Sequence, residues 1–272
     1  MQIGSSNNSE AVKEQYKTSN GLDTRISFHE KYSTNKLGYG NWIVSNYKIS
    51  EGMKVLELGC GTGSLWMGHD DIIGKLGKLV LTDLSAGMLE TARKNIGDRD
   101  NTAYQVADIQ DLPFEDNAFD MVIANSMLYH VPDLDKGIKE VRRVLKADGV
   151  FCCATLGENN FVEQLAEWFR LDGGSFSPNH NFTMQNGRQK LGISFSDIDA
   201  RLYMDSLHIT DIDDLVNYLA SLASLKILND VPFEKLKETI MEHAVNGVVD
   251  LPKEYGMFIA RGYADGYKES LH

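Results

Sequence analysis

The sequence predicts an α/β protein built on a doubly wound, mostly parallel sheet. Between residues 54 and 155, short apolar runs alternate with helical patterns, and the connections between them are short. Such alternation is typical of parallel strands that are covered by helices on both faces. A glycine-rich turn after the first run, and an acidic residue at the end of the next two, indicate that a ligand binds at one edge of the sheet.

Helices are expected before the sheet. Residues 1–15 are rich in Ser, Asn and charge, which is typical of a frayed chain start. Residues 23–42 are denser in aromatic side chains, namely Phe28, Tyr32, Tyr39 and Trp42. We expect residues 1–50 to form a helical lid over the glycine turn. The alternative is that these aromatic side chains only pack the N-terminal helices against the sheet.

The first strand is expected around Val55, Leu56 and Leu58, and it runs into Gly59-Cys-Gly-Thr-Gly-Ser64. Glycine at three alternate positions allows a sharp turn and lets a ligand approach with no Cβ in the way. A helix is expected at residues 65–75. A strand, a glycine turn and a helix together make a Rossmann-like nucleotide-binding crossover, although a plain tight turn would look the same.

Glu57 narrows the choice of ligand. A dinucleotide places its pyrophosphate against such a turn, where a carboxylate two residues before the first glycine would repel it. S-adenosylmethionine carries an ammonium, a sulfonium and an adenosine, and it has no phosphate. Ser64 also occupies the position of the last glycine or alanine of the dinucleotide pattern. The stretch from Glu57 to Ser64 resembles motif I of the class I S-adenosylmethionine-dependent methyltransferases.

Acidic residues end the next two expected strands, 78–83 and 103–108. Asp83 ends the first of them, and Ser85 can cap the helix that follows it. A carboxylate in the position of Asp83 can accept hydrogen bonds from both ribose hydroxyls, a feature that NAD sites share. Asp108 begins a segment that resembles the A-D-x-x-x-L-P-F-x-D-x-x-F-D stretch of the methyltransferase family. The resemblance implies that Asp108 accepts from the adenine amine and that the backbone of Ile109 reads the ring edge.

The fourth strand is expected at residues 119–125, and residues 126–133 follow it. This second segment resembles the family's small-x-L-H-H-V-x-D turn, with Tyr129 in place of the first His. Asn125 is therefore expected to line the methionine end of the cofactor. The full set of residues expected to contact S-adenosylmethionine, or its product S-adenosylhomocysteine, is Glu57, Gly59, Cys60, Gly61, Gly63, Asp83, Leu84, Met88, Asp108, Ile109, Asn125 and Ser126.

Catalytic residues are harder to predict than cofactor residues. Methyl transfer from a sulfonium has a good leaving group, so the protein mainly aligns donor and acceptor and excludes water. A base is needed only for some oxygen or nitrogen acceptors. The candidates are Tyr16, His29, Tyr129 and His130, although a lone histidine is more often structural.

The later part of the chain becomes mostly helical. A helix at 133–146 and the fifth strand at 150–155 complete the alternating region. Beyond it we expect helices at 160–170, 183–191, 210–228 and 231–245. We also expect a sixth strand within 193–204, either interrupted or preceded by a turn, and the last strand at 255–260. In the family, strands six and seven form a hairpin, so the long helical segment between them indicates an inserted cap that helps to choose the acceptor. The predicted division is a lid (1–50), a core (51–204 and 252–264) and a cap (205–251).

Composition limits the partners. The chain has 27 Lys and Arg against 39 Asp and Glu, and its net charge of −12 opposes nucleic acid and anionic membranes. The three cysteines show no metal spacing and fit a reducing compartment. Residues 1–10 lack the apolar core of a signal peptide, and no apolar run approaches the ~20 residues of a membrane span. We expect a cytoplasmic protein with a small-molecule substrate and no metal; the oligomeric state is not indicated.

The resemblance implies an S-adenosylmethionine-dependent methyltransferase acting on an O, N or C atom of a small molecule. It is nearest to the group that includes the ubiquinone/menaquinone-biosynthesis methyltransferases. One alternative is a non-catalytic, S-adenosylmethionine-binding regulatory protein. The other is an NAD-dependent oxidoreductase, against which Glu57, Ser64 and the Asp108 segment count.

Overall fold

One seven-stranded sheet forms the centre of the computed structural model, which describes residues 27–171 and 178–264. The strand order is β3-β2-β1-β4-β5-β7-β6. The strands are β1 Lys54–Leu58, β2 Lys78–Asp83, β3 Thr102–Val106, β4 Phe119–Ile123, β5 Leu145–Leu156, β6 Asp197–Ile209 and β7 Val249–Arg261. Strands β1 to β5 are parallel, and β7 runs antiparallel between β5 and β6. The predicted mostly parallel, doubly wound sheet is confirmed.

Helices cover both faces of this sheet. They are α1 (residues 27–32), α2 Tyr39–Ser45, α3 Asp70–Lys75, α4 Ala86–Ile96, α5 Leu134–Val144, α6 Phe161–Trp168, α7 Gly187–Leu191, α8 Ile212–Leu219 and α9 Phe233–Met241. Because side chains alternate along a strand, Leu56 and Leu58 pack on the α5 side, whereas Val55 packs on the side of α2, α3 and α4. Both faces of β1 are therefore buried, as expected for a parallel strand.

Local signals set the helix boundaries well in the core. The Ser85 side chain accepts a hydrogen bond from Met88 N and so begins α4, and Gly97 ends this helix at a φ of 84°. Asp133 caps α5 in the same way, accepting from Lys136 N. The helix predicted for residues 65–75 is wrong in part, because Gly68 adopts a φ of 78° and separates a 3₁₀ turn, Ser64–Trp66, from α3.

The hairpin of β6 and β7 extends beyond the rest of the sheet. Each strand has 13 residues, so the last strand predicted at 255–260 is too short. Of the two alternatives for the sixth strand, an interruption is wrong and a preceding turn is confirmed: a turn at residues 192–194 comes before β6, which continues to Ile209. Tyr255 pairs with Leu156 at the end of β5, and the β6–β7 ladder then continues to the pair Ile209↔Val249. The hairpin thus projects past the carboxyl end of β5.

Helices α6, α8 and α9 pack against this projecting hairpin and form the cap. The predicted helix at 210–228 is divided, since α8 ends at Leu219 and a 3₁₀ segment, Ala223–Asp230, follows. The cap has its own apolar cluster, which includes Leu165, Leu215 and Ile240. The predicted helical cap between β6 and β7 is confirmed. The domain boundaries at 204/205 and 251/252 remain predictions, and they fall inside continuous strands.

The described part of the predicted lid divides between cap and core. Phe28 and Tyr32 of α1 belong to the apolar cluster of the cap, whereas α2 packs against the core. The Tyr32 hydroxyl donates to Asp214 on α8 at 2.6 Å, and Asn35 N donates to Asp205 on β6 at 2.9 Å. Residues 27–35 are therefore fastened to the cap.

Candidate cofactor and acceptor site

The glycine turn after β1 has the backbone geometry that its sequence predicts. Gly59, Gly61 and Gly63 all have positive φ, at 66°, 55° and 74°. A Cβ on Gly63 would lie 3.2 Å from the Cβ of Ala92 on α4, so this glycine lets the turn pack closely on that helix. A Cβ on Gly61 would meet nothing within 4 Å. A Cβ on Gly59 would likewise lie 3.0 Å from Met127. The turn is thus packed at both ends and open at Gly61, where a ligand can approach the backbone.

Asp83 lies beside this turn at the end of β2. Its carboxylate accepts hydrogen bonds from Gly61 N at 3.0 Å and from Ser85 N at 2.8 Å. Burial raises the pKa of Asp83, while these backbone donors lower it. Each carboxylate oxygen can accept a further hydrogen bond. Asp83 therefore fixes the open part of the turn and retains capacity for two ligand hydroxyls.

Glu57 is buried under the turn and is only 3% exposed. Its Oε2 accepts a hydrogen bond from the indole nitrogen of Trp66 at 2.6 Å. The pKa of Glu57 is raised to about 7, chiefly by burial; the Trp66 donor acts to lower it and the nearby charge of Asp83 acts to raise it. A cationic ligand group would favour the ionised carboxylate, whereas a phosphate would oppose it.

Asp108 lies two residues beyond β3, next to the end of β2, because Ala107 N donates to Asp83 O. The side chain of Gln110 donates to both carboxylate oxygens of Asp108, at 3.1 and 3.2 Å. Ile109 is buried in the core cluster on the α5 side. The carboxylates of Asp83 and Asp108 therefore end adjacent strands, as the sequence predicted, and Gln110 shares the Asp108 carboxylate.

Asn125 and Ser126 follow β4 at the same edge. The Asn125 amide donates to the Tyr47 hydroxyl at 2.8 Å and accepts from Ala154 N at 3.1 Å. Because its side chain is used in these contacts, any ligand contact of Asn125 has to share them or use its backbone. Ser126 has a φ of 53°, which is uncommon for a non-glycine residue and clusters at functional sites.

The other predicted cofactor residues surround the same edge. Cys60 is buried in the turn, and its backbone N–H donates to Thr82 O at 2.9 Å. Burial raises the pKa of the Cys60 thiol far above its usual range, so it stays protonated. Leu84 follows Asp83 directly, and Met88 is buried in the first turns of α4.

The arrangement suits S-adenosylmethionine better than a dinucleotide. A pyrophosphate site needs a helix N-terminus directed at the glycine turn. Only a three-residue 3₁₀ turn follows the glycines, and the first turn of α3 carries Asp70 and Asp71. The open backbone at Gly61, the free capacity of Asp83 and the buried Glu57 fit a ribose and a cationic amine.

The catalytic candidates that the structure describes lie in two different places. His130 ends a 3₁₀ turn after β4, and its ring is 4.5 Å from that of Tyr129. His29 lies on α1, where its Nε2 is 3.0 Å from the hydroxyl of Tyr218 on α8. Tyr16 lies outside the described residues. Tyr218 is 2% exposed and stacks on Phe28 at 4.0 Å, so its ring is part of the apolar cluster of the cap.

One cluster of residues was not predicted from the sequence. It lies where β6 and β7 extend beyond the end of β5. Tyr39 donates to Gly256 O at 2.9 Å and lies 5.0 Å from the ring of Tyr255. Lys253 and Asp205 form a buried ion pair at 2.5 Å beside these rings. One feature of the sequence indicates this cluster: Lys253 occupies a position on β7 whose side chain faces the interior. Its partner Asp205 is distant in sequence.

Fold and site together define a nucleoside-binding α/β protein whose ligand lacks a pyrophosphate. Residues 56–153 match a protein family described as "Methyltransferase domain". Over residues 56–153 the chain is similar to the class I S-adenosylmethionine-dependent methyltransferases, and the prediction of S-adenosylmethionine as the cofactor is confirmed. In the described residues, no helix has the length and apolar character needed to cross a bilayer.

Curated relatives match part of this chain as well. The Haemophilus ducreyi ubiquinone/menaquinone biosynthesis C-methyltransferase UbiE is 40% identical over 104 residues, which are 37% of this chain and 40% of that protein. The Staphylococcus aureus demethylmenaquinone methyltransferase is 34% identical over 132 residues, which are 47% and 55% of the two chains. The matches thus span about half or less of each relative and less than half of this chain.

Among solved structures, the fold is similar to that of Haemonchus contortus phosphoethanolamine N-methyltransferase 2 in complex with S-adenosyl-L-methionine. The TM-score is 0.56 at 17% identity, over 96% of this chain and 60% of the other. At this identity the similarity concerns the fold alone.

Proposed function

We propose that this chain transfers the methyl group of S-adenosylmethionine to a C, N or O atom of a small-molecule acceptor. One observation carries the proposal: Glu57, Asp83 and Asp108 lie at the ends of three adjacent parallel strands, beside a glycine turn that is open at Gly61. This edge is where ligands bind in open α/β sheets.

Each carboxylate has a separate role in the proposal. Asp83 accepts from the ribose hydroxyls, Asp108 and the Ile109 backbone bind the adenine edge, and Glu57 stabilises the ammonium of the methionine end. Carboxylate oxygens accept hydrogen bonds, and hydroxyls and amines donate them, so the two sets of groups are complementary. The remaining wall consists of Gly59, Cys60, Gly61, Gly63, Leu84, Met88, Asn125 and Ser126.

Bound S-adenosylmethionine supplies a methyl group on a good leaving group. The chain's own residues then align the acceptor and exclude water. In the proposal, the cap and residues 27–50 cover the carboxyl edge, and the acceptor lies between cap and core. His130 and His29 are the described candidates for holding or removing an acceptor proton, and Tyr16 is the third.

Turnover with a panel of acceptors tests the proposal. The protein is incubated with S-adenosylmethionine and small phenols, amines, carboxylates and activated carbon acids, and S-adenosylhomocysteine is measured by mass spectrometry. We expect its release to depend on an acceptor and to coincide with methylation of that acceptor. Cofactor binding without turnover on any acceptor would favour a non-catalytic regulatory protein, and binding of NAD in its place would favour an oxidoreductase.

A further inference from the structure

Tyr255 lies where the core sheet meets the cap. On β7 it is opposite Leu156, the last residue of β5, and on its other side it is opposite Tyr203 of β6. It packs against the apolar cluster of the cap. Because the carboxyl end of β5 belongs to the ligand-binding edge, Tyr255 is placed between the cofactor site and the cap.

Aromatic side chains from two helices border Tyr255. The ring centroid of Tyr39 on α2 lies 5.0 Å away, and that of His29 on α1 lies 6.4 Å away. His29 is in turn 5.5 Å from Phe161 at the start of α6. Tyr255 as a residue nevertheless remains partly exposed at this junction.

The hydroxyl of Tyr255 differs from those of its neighbours. Tyr39 donates to Gly256 O and Tyr203 donates to Asn35 O, while the Tyr218 hydroxyl is bonded to His29. The Tyr255 hydroxyl makes no hydrogen bond to any residue within 27–171 or 178–264. Burial raises the pKa of Tyr255 well above its usual range. The hydroxyl is therefore a donor and not a base.

The charged groups nearest to Tyr255 neutralise each other. Lys253 Nζ lies 5.0 Å from the centroid of the Tyr255 ring, and it also bonds Asp205 at 2.5 Å and Ser33 Oγ at 2.7 Å. The side chains of this ion pair are 3% and 0% exposed. A charged ligand group would gain no counterion from this pair, and burying an uncompensated charge is costly. The surroundings thus favour an uncharged ligand.

We propose that Tyr255 determines acceptor specificity by donating a hydrogen bond to an oxygen of an uncharged, flat acceptor that lies against Tyr39 and His29. Lys253, held by Asp205, is a positioning residue for the Tyr255 ring through a cation–π contact. The proposal rests on the proposed function, since it assigns the hydroxyl to the acceptor of that reaction.

Binding of two matched probes tests the role of the hydroxyl. 2-Naphthol and 2-methylnaphthalene are titrated by ligand-observed NMR into the full chain saturated with S-adenosylhomocysteine. We expect the parent to prefer 2-naphthol by about 5- to 10-fold, as one hydrogen bond gives. Tyr255→Phe should remove this preference. The matched control is Tyr104→Phe on β3, at the opposite edge of the sheet from β6. This variant deletes a hydroxyl bonded to Gly97 O and should keep the preference.

The outcomes separate this inference from the proposed function. If S-adenosylhomocysteine does not bind the parent, the proposed function fails. If S-adenosylhomocysteine binds, but the parent shows no preference between 2-naphthol and 2-methylnaphthalene or binds neither of them, the role assigned to Tyr255 is wrong, irrespective of the result for Tyr255→Phe. A preference that survives in a Tyr255→Phe protein with unchanged S-adenosylhomocysteine affinity also overturns it, as does tighter binding of tetramethylammonium than of 2-naphthol.

Discussion

Replacing Asp83 by Asn tests the ribose assignment with the least disturbance of the fold. The carboxylate holds Gly61 N at 3.0 Å and Ser85 N at 2.8 Å. Asn keeps the shape and one acceptor oxygen, whereas Ala would remove both acceptors of these backbone donors. We expect Asp83→Ala to lower the free energy of unfolding by about 1–3 kcal/mol, which would confuse binding with folding. Asp83→Asn should cost only about 1 kcal/mol.

The loss of affinity follows from the hydrogen bonds at stake. Bonds from two ribose hydroxyls to a charged carboxylate contribute about 1.5–3 kcal/mol each, and the amide of Asn retains part of this. We therefore expect Asp83→Asn to weaken S-adenosylhomocysteine binding by about 2–4 kcal/mol, or roughly 30- to 1,000-fold. The change should appear mainly as a faster dissociation rate.

Isothermal titration calorimetry with S-adenosylhomocysteine measures this loss, and urea unfolding of the same samples measures folding. Asp98→Asn is the matched control, because the Asp98 side chain is 74% exposed and its ion pair with Arg93, at 3.6 Å, lies on the surface. It should bind as the parent does. Parent-like affinity in Asp83→Asn would refute the ribose role of this carboxylate.

Three further predictions concern the turn, the buried acid and the cap. Gly61→Ala should weaken cofactor binding at least tenfold in calorimetry and lower the free energy of unfolding by about 1–2 kcal/mol. Gly63→Ala should lower the free energy of unfolding more, because its Cβ meets α4, and equal effects of the two variants on binding and on stability would contradict this. Because the folded protein holds the Glu57 proton up to about pH 7, urea unfolding should show stability falling by about 3 kcal/mol from pH 4.5 to 7, and Glu57→Gln should flatten that slope. Lys253→Met should cost about 3–5 kcal/mol in chemical denaturation by leaving Asp205 buried and unpaired, and an added Asp205→Leu should restore part of it; no recovery would count against the ion pair as the cause.

The sheet and the cofactor edge could be predicted because their signals are local. The apolar run at Val55–Leu58, the glycines and the terminal acids Asp83 and Asp108 each follow from a few adjacent residues. The helix expected after the glycine turn failed at Gly68, because no local pattern distinguishes a tolerated helical glycine from one at positive φ.

The cap could be predicted only as a set of helices. Its fastening depends on pairs that are distant in the chain, such as Tyr32 with Asp214 and Lys253 with Asp205. The full length of β6 could not be predicted, because many of its residues are polar and the strand is stabilised by pairing with its long partner β7. The bond between His29 and Tyr218 also joins residues that are distant in the chain, so the acceptor side that we propose could be derived only from the three-dimensional structure.

A crystal structure of the complex with S-adenosylhomocysteine tests the central claim most directly. We predict that both ribose hydroxyls lie within about 2.5–3.0 Å of the Asp83 carboxylate oxygens, as charged O–H···O bonds do. The adenine amine should lie at Asp108, and the sulfur should point towards the junction of core and cap. A ligand bound away from the carboxyl edge, or one whose ribose avoids Asp83, would contradict the account.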